Sequence, residues 1–235
     1  MTTFAAVLRS ASLILLLGGL ALAQDAMAIL KSVGETYSAL KSYEFQGVTT
    51  TATQTGKNLS NTEESFTVVF SAPDQFMVEM RYPGQGSWTR ASNGKLTTEV
   101  RTASKEFSQQ ATTPYDIRML DSSPIGHFYS MDTGNKVATV EGSEKVSLDG
   151  QEADCWIVQT DREMGMLPEG VKRLPTKLWV DKARFLVLKQ ISGTESVATG
   201  PKATKNVRTM LITHAQLSPA IQPDTFVPAK SSKKK

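Results

Sequence analysis

The chain has 235 residues, 40% of them hydrophobic and 21% charged, a balance that suits one folded domain or two small ones and excludes a disordered or collagen-like polymer. Lys plus Arg exceed Asp plus Glu by only 26 to 23, too small a surplus for a nucleic-acid protein without a concentrated basic face. One Cys excludes an intramolecular disulfide and a Cys-rich metal site, and two His leave little material for an imidazole site.

The first 23 residues read as an export signal. Arg9 is their only charge, Ala11 to Leu22 is almost wholly apolar, and Ala21-Leu22-Ala23 offers the small residues a signal peptidase cuts after. The apolar run is shorter than the roughly 20 residues a membrane-crossing helix needs, which sets an uncleaved anchor as the alternative. Gln24 stands where a lipoprotein would need Cys. The expected organisation is a leader over 1–23, a single domain over 24–229 and a basic tail over 230–235, with a periplasmic destination. Without Arg9 and the tail lysines Lys230, Lys233, Lys234 and Lys235, the body holds 21 basic against 23 acidic residues. The tail receives no function.

Asp25 to Tyr43 is the clearest helix, because Met27, Leu30, Val33, Tyr37 and Leu40 recur at three- and four-residue steps and Asp25 can cap its start. Strands follow. Tyr43 to Thr53 is Thr-rich and extended; Glu64 to Ser71 places Phe66, Val68 and Phe70 on one face; Phe76, Val78 and Met80 alternate with Met77, Glu79 and Arg81 up to Pro83-Gly84. Ser87 to Ala91 and Lys95 to Thr102 flank Asn93-Gly94, a hairpin signal. After a gap come Val137 to Val140, Glu144 to Leu148, the Asp149-Gly150 turn, and Asp154 to Thr160. Thr176 to Val180 and Phe185 to Ile191 form another hairpin, and Asn206 to Leu217 is the last long strand before Pro219, Pro223 and Pro228.

Two segments break the meander. Tyr115 to Met131, with Met119 and Phe128, reads as short helical turns, and Met164 to Pro168, with Met166, as an apolar loop. Loops are ordinarily polar, so both are expected to pack on something. Cys155, inside Cys155-Trp156-Ile157-Val158, is expected to be a buried thiol.

One amphipathic helix followed by about ten antiparallel strands suggests a strongly curved sheet wrapped around a helix. The motif order resembles the periplasmic lipoprotein carrier and receptor fold, LolA and LolB, with related exported proteins and the sensor domain of the MucB and RseB type. The resemblance is carried by Tyr37-Ser38-Ala39-Leu40-Lys41-Ser42-Tyr43; by Ala72 to Met80 followed by Ser92-Asn93-Gly94-Lys95; by Asp149-Gly150 leading to Cys155-Trp156-Ile157-Val158; by Leu178-Trp179-Val180-Asp181-Lys182 with Leu186-Val187-Leu188-Lys189; and by Gln222 to Pro228. It implies a mainly β fold with α, an unclosed β-barrel with a short helical plug that maps by position onto Tyr115 to Met131. In the carrier such a cavity holds lipoprotein acyl chains.

No reaction is legible. The chain lacks Gly-x-Ser-x-Gly, His-Glu-x-x-His, a Gly-rich phosphate loop and a Cys pair. His127 and His214 read as surface or hydrogen-bonded core residues, and the carboxylates Glu63, Glu64, Asp161 and Glu163 as solvated strand ends. Binding fits better, because Phe185, Val187 and Ile191 alternate with Leu186 and Leu188, and Leu178 and Val180 oppose Trp179, so both sheet faces need cover. Either the interior is filled by the protein's own plug, or it is a cavity for an acyl chain or another long apolar ligand. The expected lining or lid is Phe66, Val68, Phe70, Phe76, Val78, Met80, Met119, Phe128, Met164, Met166, Leu178 and Val180, with no catalytic residue, metal or cofactor. The expected protein is a monomeric, non-enzymatic carrier of a lipid or lipoprotein acyl group. The alternative is an envelope protein-protein interaction or stress-sensing module of MucB/RseB type.

Overall fold

The structure is a computed structural model that describes residues 25–114, 116, 120, 123–131, 133, 135–162, 167–196, 200 and 202–228. The leader, Met119, Met164, Met166 and the lysine tail lie outside the described residues.

Helix α1 spans Ala26–Ala39, and Asp25 caps it by accepting the Met27 N–H at 2.9 Å. It stops four residues before the expected Tyr43, because Leu40 turns to extended backbone and leads straight into the first strand. Its buried stripe is Ala26, Ile29, Leu30, Val33, Gly34 and Tyr37. Eleven strands follow: β1 Ser42–Thr55, β2 Asn58–Ser71, β3 Gln75–Tyr82, β4 Gly86–Asn93, β5 Leu96–Arg101, β6 Glu106–Ala111, β7 Asn135–Leu148, β8 Gln151–Arg162, β9 Val171–Asp181, β10 Val187–Ser196 and β11 Thr204–Leu217. They form one antiparallel sheet in the order β6-β5-β4-β3-β2-β1-β11-β10-β9-β8-β7, open between β6 and β7. The sheet is therefore two meanders joined where β1 pairs with β11.

The sheet coils strongly. Although β7 stands four places from β11 in that order, the turn after β7 comes back to β11: the Asp149 N–H donates to the Thr213 carbonyl at 3.1 Å, and His214 Nδ1 meets Asp149 Oδ1. That turn needs φ > 0 at both central positions, and Asp149 (φ 54°) and Gly150 (φ 75°) supply it. A bulge at Gln46/Gly47 adds to the bend. There a Cβ on residue 47 would stand 2.3 Å from the Leu211 carbonyl and 2.6 Å from the Phe66 ring, so only glycine fits.

The helix and sheet share one core. Tyr37 packs on Phe45 (ring centroids 5.9 Å apart) and on Phe128 (5.2 Å), which sits on the 3₁₀ turn Gly126–Ser130. Ile125, Phe128 and Met131 are buried beside α1, so the described part of Tyr115 to Met131 is the helical plug. The apolar content on both faces of β9 and β10 is met by the protein itself. Trp179 is buried, its indole N–H donating to Glu144 at 2.6 Å and its ring lying 4.1 Å from the Lys189 ammonium, while Trp156 packs on Phe185.

Candidate functional site: a graded trough on the concave face

Strand register divides the helix-facing side of the sheet into rows, because residues paired directly across an antiparallel ladder share a face. The lowest row holds Phe76, Phe70, Tyr43 and Leu217, and the next Val78, Val68, Phe45 and Ala215. Above them come Met80, Phe66, Gly47 and Ile212, then Glu64, Thr49, Met210, Gln190, Leu178 and Val158. Beyond those the rows turn polar: Thr62, Thr51, Arg208 and Ser192, and last Ser60, Thr53, Asn206, Thr194 and Arg173. A 14-residue helix is about 21 Å long at 1.5 Å per residue. A 14-residue strand is about 46 Å long at 3.3 Å per residue. One helix can cover the apolar rows and no more, and the upper half of the concave face stays open.

Two pockets, each of about 620 Å³, occupy that open half and meet at Ser123, Pro124 and Arg208. The first, over β2 to β5, is lined chiefly by Val78, Met80, Tyr82, Trp88 and Arg101, with Glu64 at its floor. The second, over β1 and β8 to β11, is richer in polar side chains, with Thr51, Thr160, Arg173, Gln190 and Asn206 beside Met131 and Leu174. Arg208 and Glu64 form an ion pair at 3.2 Å between them. His127, on the plug, bonds Gln190 at 2.8 Å through Nε2.

The structure sorts the expected lining residues. Phe66, Val68, Phe76, Phe128, Leu178 and Val180 are buried in the core with α1 and the plug, and Phe70 packs partly against it. Val78 and Met80 reach the first pocket. Met119, Met164 and Met166 lie outside the described residues. Sequence reasoning missed Tyr82, Trp88, Ser123 and Arg208. Their signal is weak: Trp88 joins the trough because it pairs with Met80, and Arg208 because β11 lies beside β1, a long-range pairing that no local pattern states.

The open end of the plug segment is pinned by charge. Asp116 is fully buried against β4, accepts from the Thr113 N–H (2.8 Å) and hydroxyl (2.7 Å), and is gripped by Arg90, which also pairs with Glu99 at 3.3 Å. Burial acts to raise the Asp116 pKa, but the hydrogen bonds from Thr113 and Arg90 outweigh it and hold the carboxyl below its ordinary value. At the covered end, burial pushes the Tyr37 and Tyr43 phenols up, and Tyr43 shares a hydroxyl contact with Tyr129.

Titratable chemistry is sparse elsewhere. Glu63 and Glu64 sit in the middle of β2, not at a strand end as expected, because the hydrogen-bonded ladder with β1 runs on through the polar stretch Asn58 to Glu63. Cys155 is buried, and burial first, then Asp181 and Asp154, pushes its thiol up to about 12. Among the described residues, no group of three His, Cys, Asp or Glu could hold a metal. Among them too, no helix is long and apolar enough to cross a membrane.

No family model matches the sequence, and no curated protein matches it. Solved structures do align with it. An uncharacterised conserved protein from Thermus thermophilus is 13% identical, with TM-score 0.45 over 88% of this chain and 94% of that one. A LolA superfamily protein from Nitrosomonas europaea is 12% identical, with TM-score 0.35 over 86% and 97%. MucB in the Pseudomonas aeruginosa MucA/MucB complex is 11% identical, with TM-score 0.43 over 87% of this chain and 61% of that one.

Proposed function

We propose that this chain is an exported, non-enzymatic binding or carrier protein that shelters the acyl chain of a lipid or lipoprotein in its concave trough. The observation that carries this reading is the uncovered half of the sheet, where Val78, Met80, Tyr82 and Trp88 line about 620 Å³ beside a solid core. That volume lies in the range of small-molecule sites, about 300–1,000 Å³. A 16-carbon chain buried at roughly 0.8 kcal/mol per methylene gains about 10 kcal/mol before ordering costs, enough to bind without a reactive group. The histidines fit a structural role, since His127 braces the plug through Gln190 and His214 ties the β7–β8 turn to β11 through Asp149. The reading includes cleavage after Ala23, a single periplasmic domain over 24–229 and a monomer, with Val78 and Met80 as the expected residues nearest the ligand.

Edge strand β6 favours a second reading as an envelope interaction module. Every residue of β6 is exposed, and Phe107 and, on the neighbouring strand, Leu96 present apolar surface there. An extended partner segment can add to such an edge through backbone hydrogen bonds.

Native mass spectrometry of the purified protein, with organic extraction and uptake of a fluorescent fatty acid, tests the first reading. It expects a co-purifying acyl lipid or stoichiometric uptake, weakened about tenfold or more by Trp88→Ala. Neither lipid nor uptake, with a stable protein partner captured by lipid-free material, favours the second.

A further inference from the structure

The two pockets differ in chemistry, and the difference has a direction. The β2–β5 pocket presents a Trp, a Tyr, a Met and a Val beside Gln85, Ser87 and Arg101, whereas the β8–β11 pocket presents mainly hydroxyls, amides and the guanidinium side chains of Arg173 and Arg208, with Met131 and Leu174 as its apolar members. Of the described residues that line either pocket, Glu64 is the only carboxylate, and the polar pocket has none. Arg208 belongs to both and meets Glu64 through Nη2 at 3.2 Å, which leaves other donors of its five-donor fork for a ligand at this half-exposed site. On the shared wall, Ser123 is 6% exposed and its hydroxyl has no hydrogen-bond partner among the described residues.

We infer that the trough takes an anionic amphiphile in one orientation, with its acyl chain against Val78, Met80 and Trp88 and its carboxylate or phosphate head at Arg208 and Arg173. The inference rests on the carrier reading and adds the class and polarity of the ligand. Arg208 is a binding residue because a planar guanidinium can engage either head group with two parallel N–H donors. Glu64 tempers it, holding the guanidinium in place and competing with an incoming anion.

The test compares 16-carbon probes on the purified protein by fluorescence displacement: palmitate and palmitoyl lysophosphatidate as anions, hexadecanol and monopalmitoylglycerol as neutral chains, and inorganic phosphate as a head without a chain. The expected result is at least about tenfold tighter binding of one or both anionic probes than of the neutral ones, narrowing as salt rises from about 20 to about 500 mM. Arg208→Gln is expected to remove that advantage, Arg208→Lys to restore part of it, and Glu64→Gln to tighten anion binding. Equal affinity for charged and neutral chains overturns the inference and leaves the carrier reading standing. So does phosphate binding as tightly as the lysophosphatidate, since the chain would then contribute nothing. Absence of binding by every chain sinks both. Should Arg208→Gln fail to fold, the salt series on the unaltered protein and Glu64→Gln decide between the same outcomes.

Discussion

The two ends of the concave face are built from the same strands yet behave as different materials. At the base, Tyr43, Phe45, Phe66 and Val68 meet Ile29, Leu30, Val33 and Tyr37 of α1 and are sealed by Phe128, with no exposed surface left on most of them. At the open end, Thr51, Ser192, Thr194 and Asn206 occupy the equivalent inward positions, and nothing as long as α1 lies over them among the described residues. The contrast teaches that the helix sets where the core stops: residues within its reach are apolar and close-packed, and residues beyond it are polar and line a trough.

That contrast is broken most severely at its base. Phe45→Ala removes a fully buried ring between Tyr37 and Tyr43 and is expected to cost about 3–5 kcal/mol. Thermal unfolding followed by circular dichroism should show a fall in Tm of about 10 °C or more. Trp88→Ala, in the open half and only partly packed against the core, should lower Tm by less than Phe45→Ala while weakening acyl-chain binding. Similar losses of stability from both variants would mean that the two ends are one continuous core.

Charge sharpens the comparison next. Because the folded Asp116 carboxyl has a lowered pKa, its contribution is fully present above the unfolded value of about 3.9 and is lost as pH falls through the lower folded value. Unfolding midpoints measured from about pH 7 to about pH 2 should therefore drop below about pH 4, and Asp116→Asn should be less stable at neutral pH with a flatter acid limb. A parallel pH profile for wild type and variant would contradict the role given to the Arg90–Asp116 pair.

The smallest effect concerns Cys155. With its thiol pushed up to about 12 and buried, it should resist a maleimide near neutral pH and react only once the protein is denatured. Rapid labelling of the native protein would show that the β8–β9 layer is looser than described.

Much of the fold was legible where local chemistry speaks loudly. The 3.6-residue stripe of α1, the Asn93-Gly94 and Asp149-Gly150 turns and the alternation of Phe76, Val78 and Met80 all correspond to observed elements. The sequence was silent where strands are polar on both faces. The outer half of β2, from Asn58 to Glu63, and all of β6 carry no strand signal because every residue there is exposed, and only backbone pairing makes them strands. The trough was legible only in part. The apolar residues of β2, β3 and β9 were expected to line it, but burial against α1 claims most of them for the core, and the lining includes Trp88 and Arg208, placed there by pairings between strands.

Three tryptophans offer the most direct measurement. Trp88 lines the trough, Trp179 is buried with its indole N–H on Glu144, and Trp156 packs against Phe185. Paramagnetic broadening of the three indole N–H NMR signals by a nitroxide-labelled 16-carbon fatty acid reports which of them the chain approaches. Selective loss of the Trp88 signal, with those of Trp156 and Trp179 intact, is the result expected for an acyl chain in the open half of the concave face. Loss of the Trp179 signal with Trp88 unaffected, or no broadening at saturating probe, would contradict it.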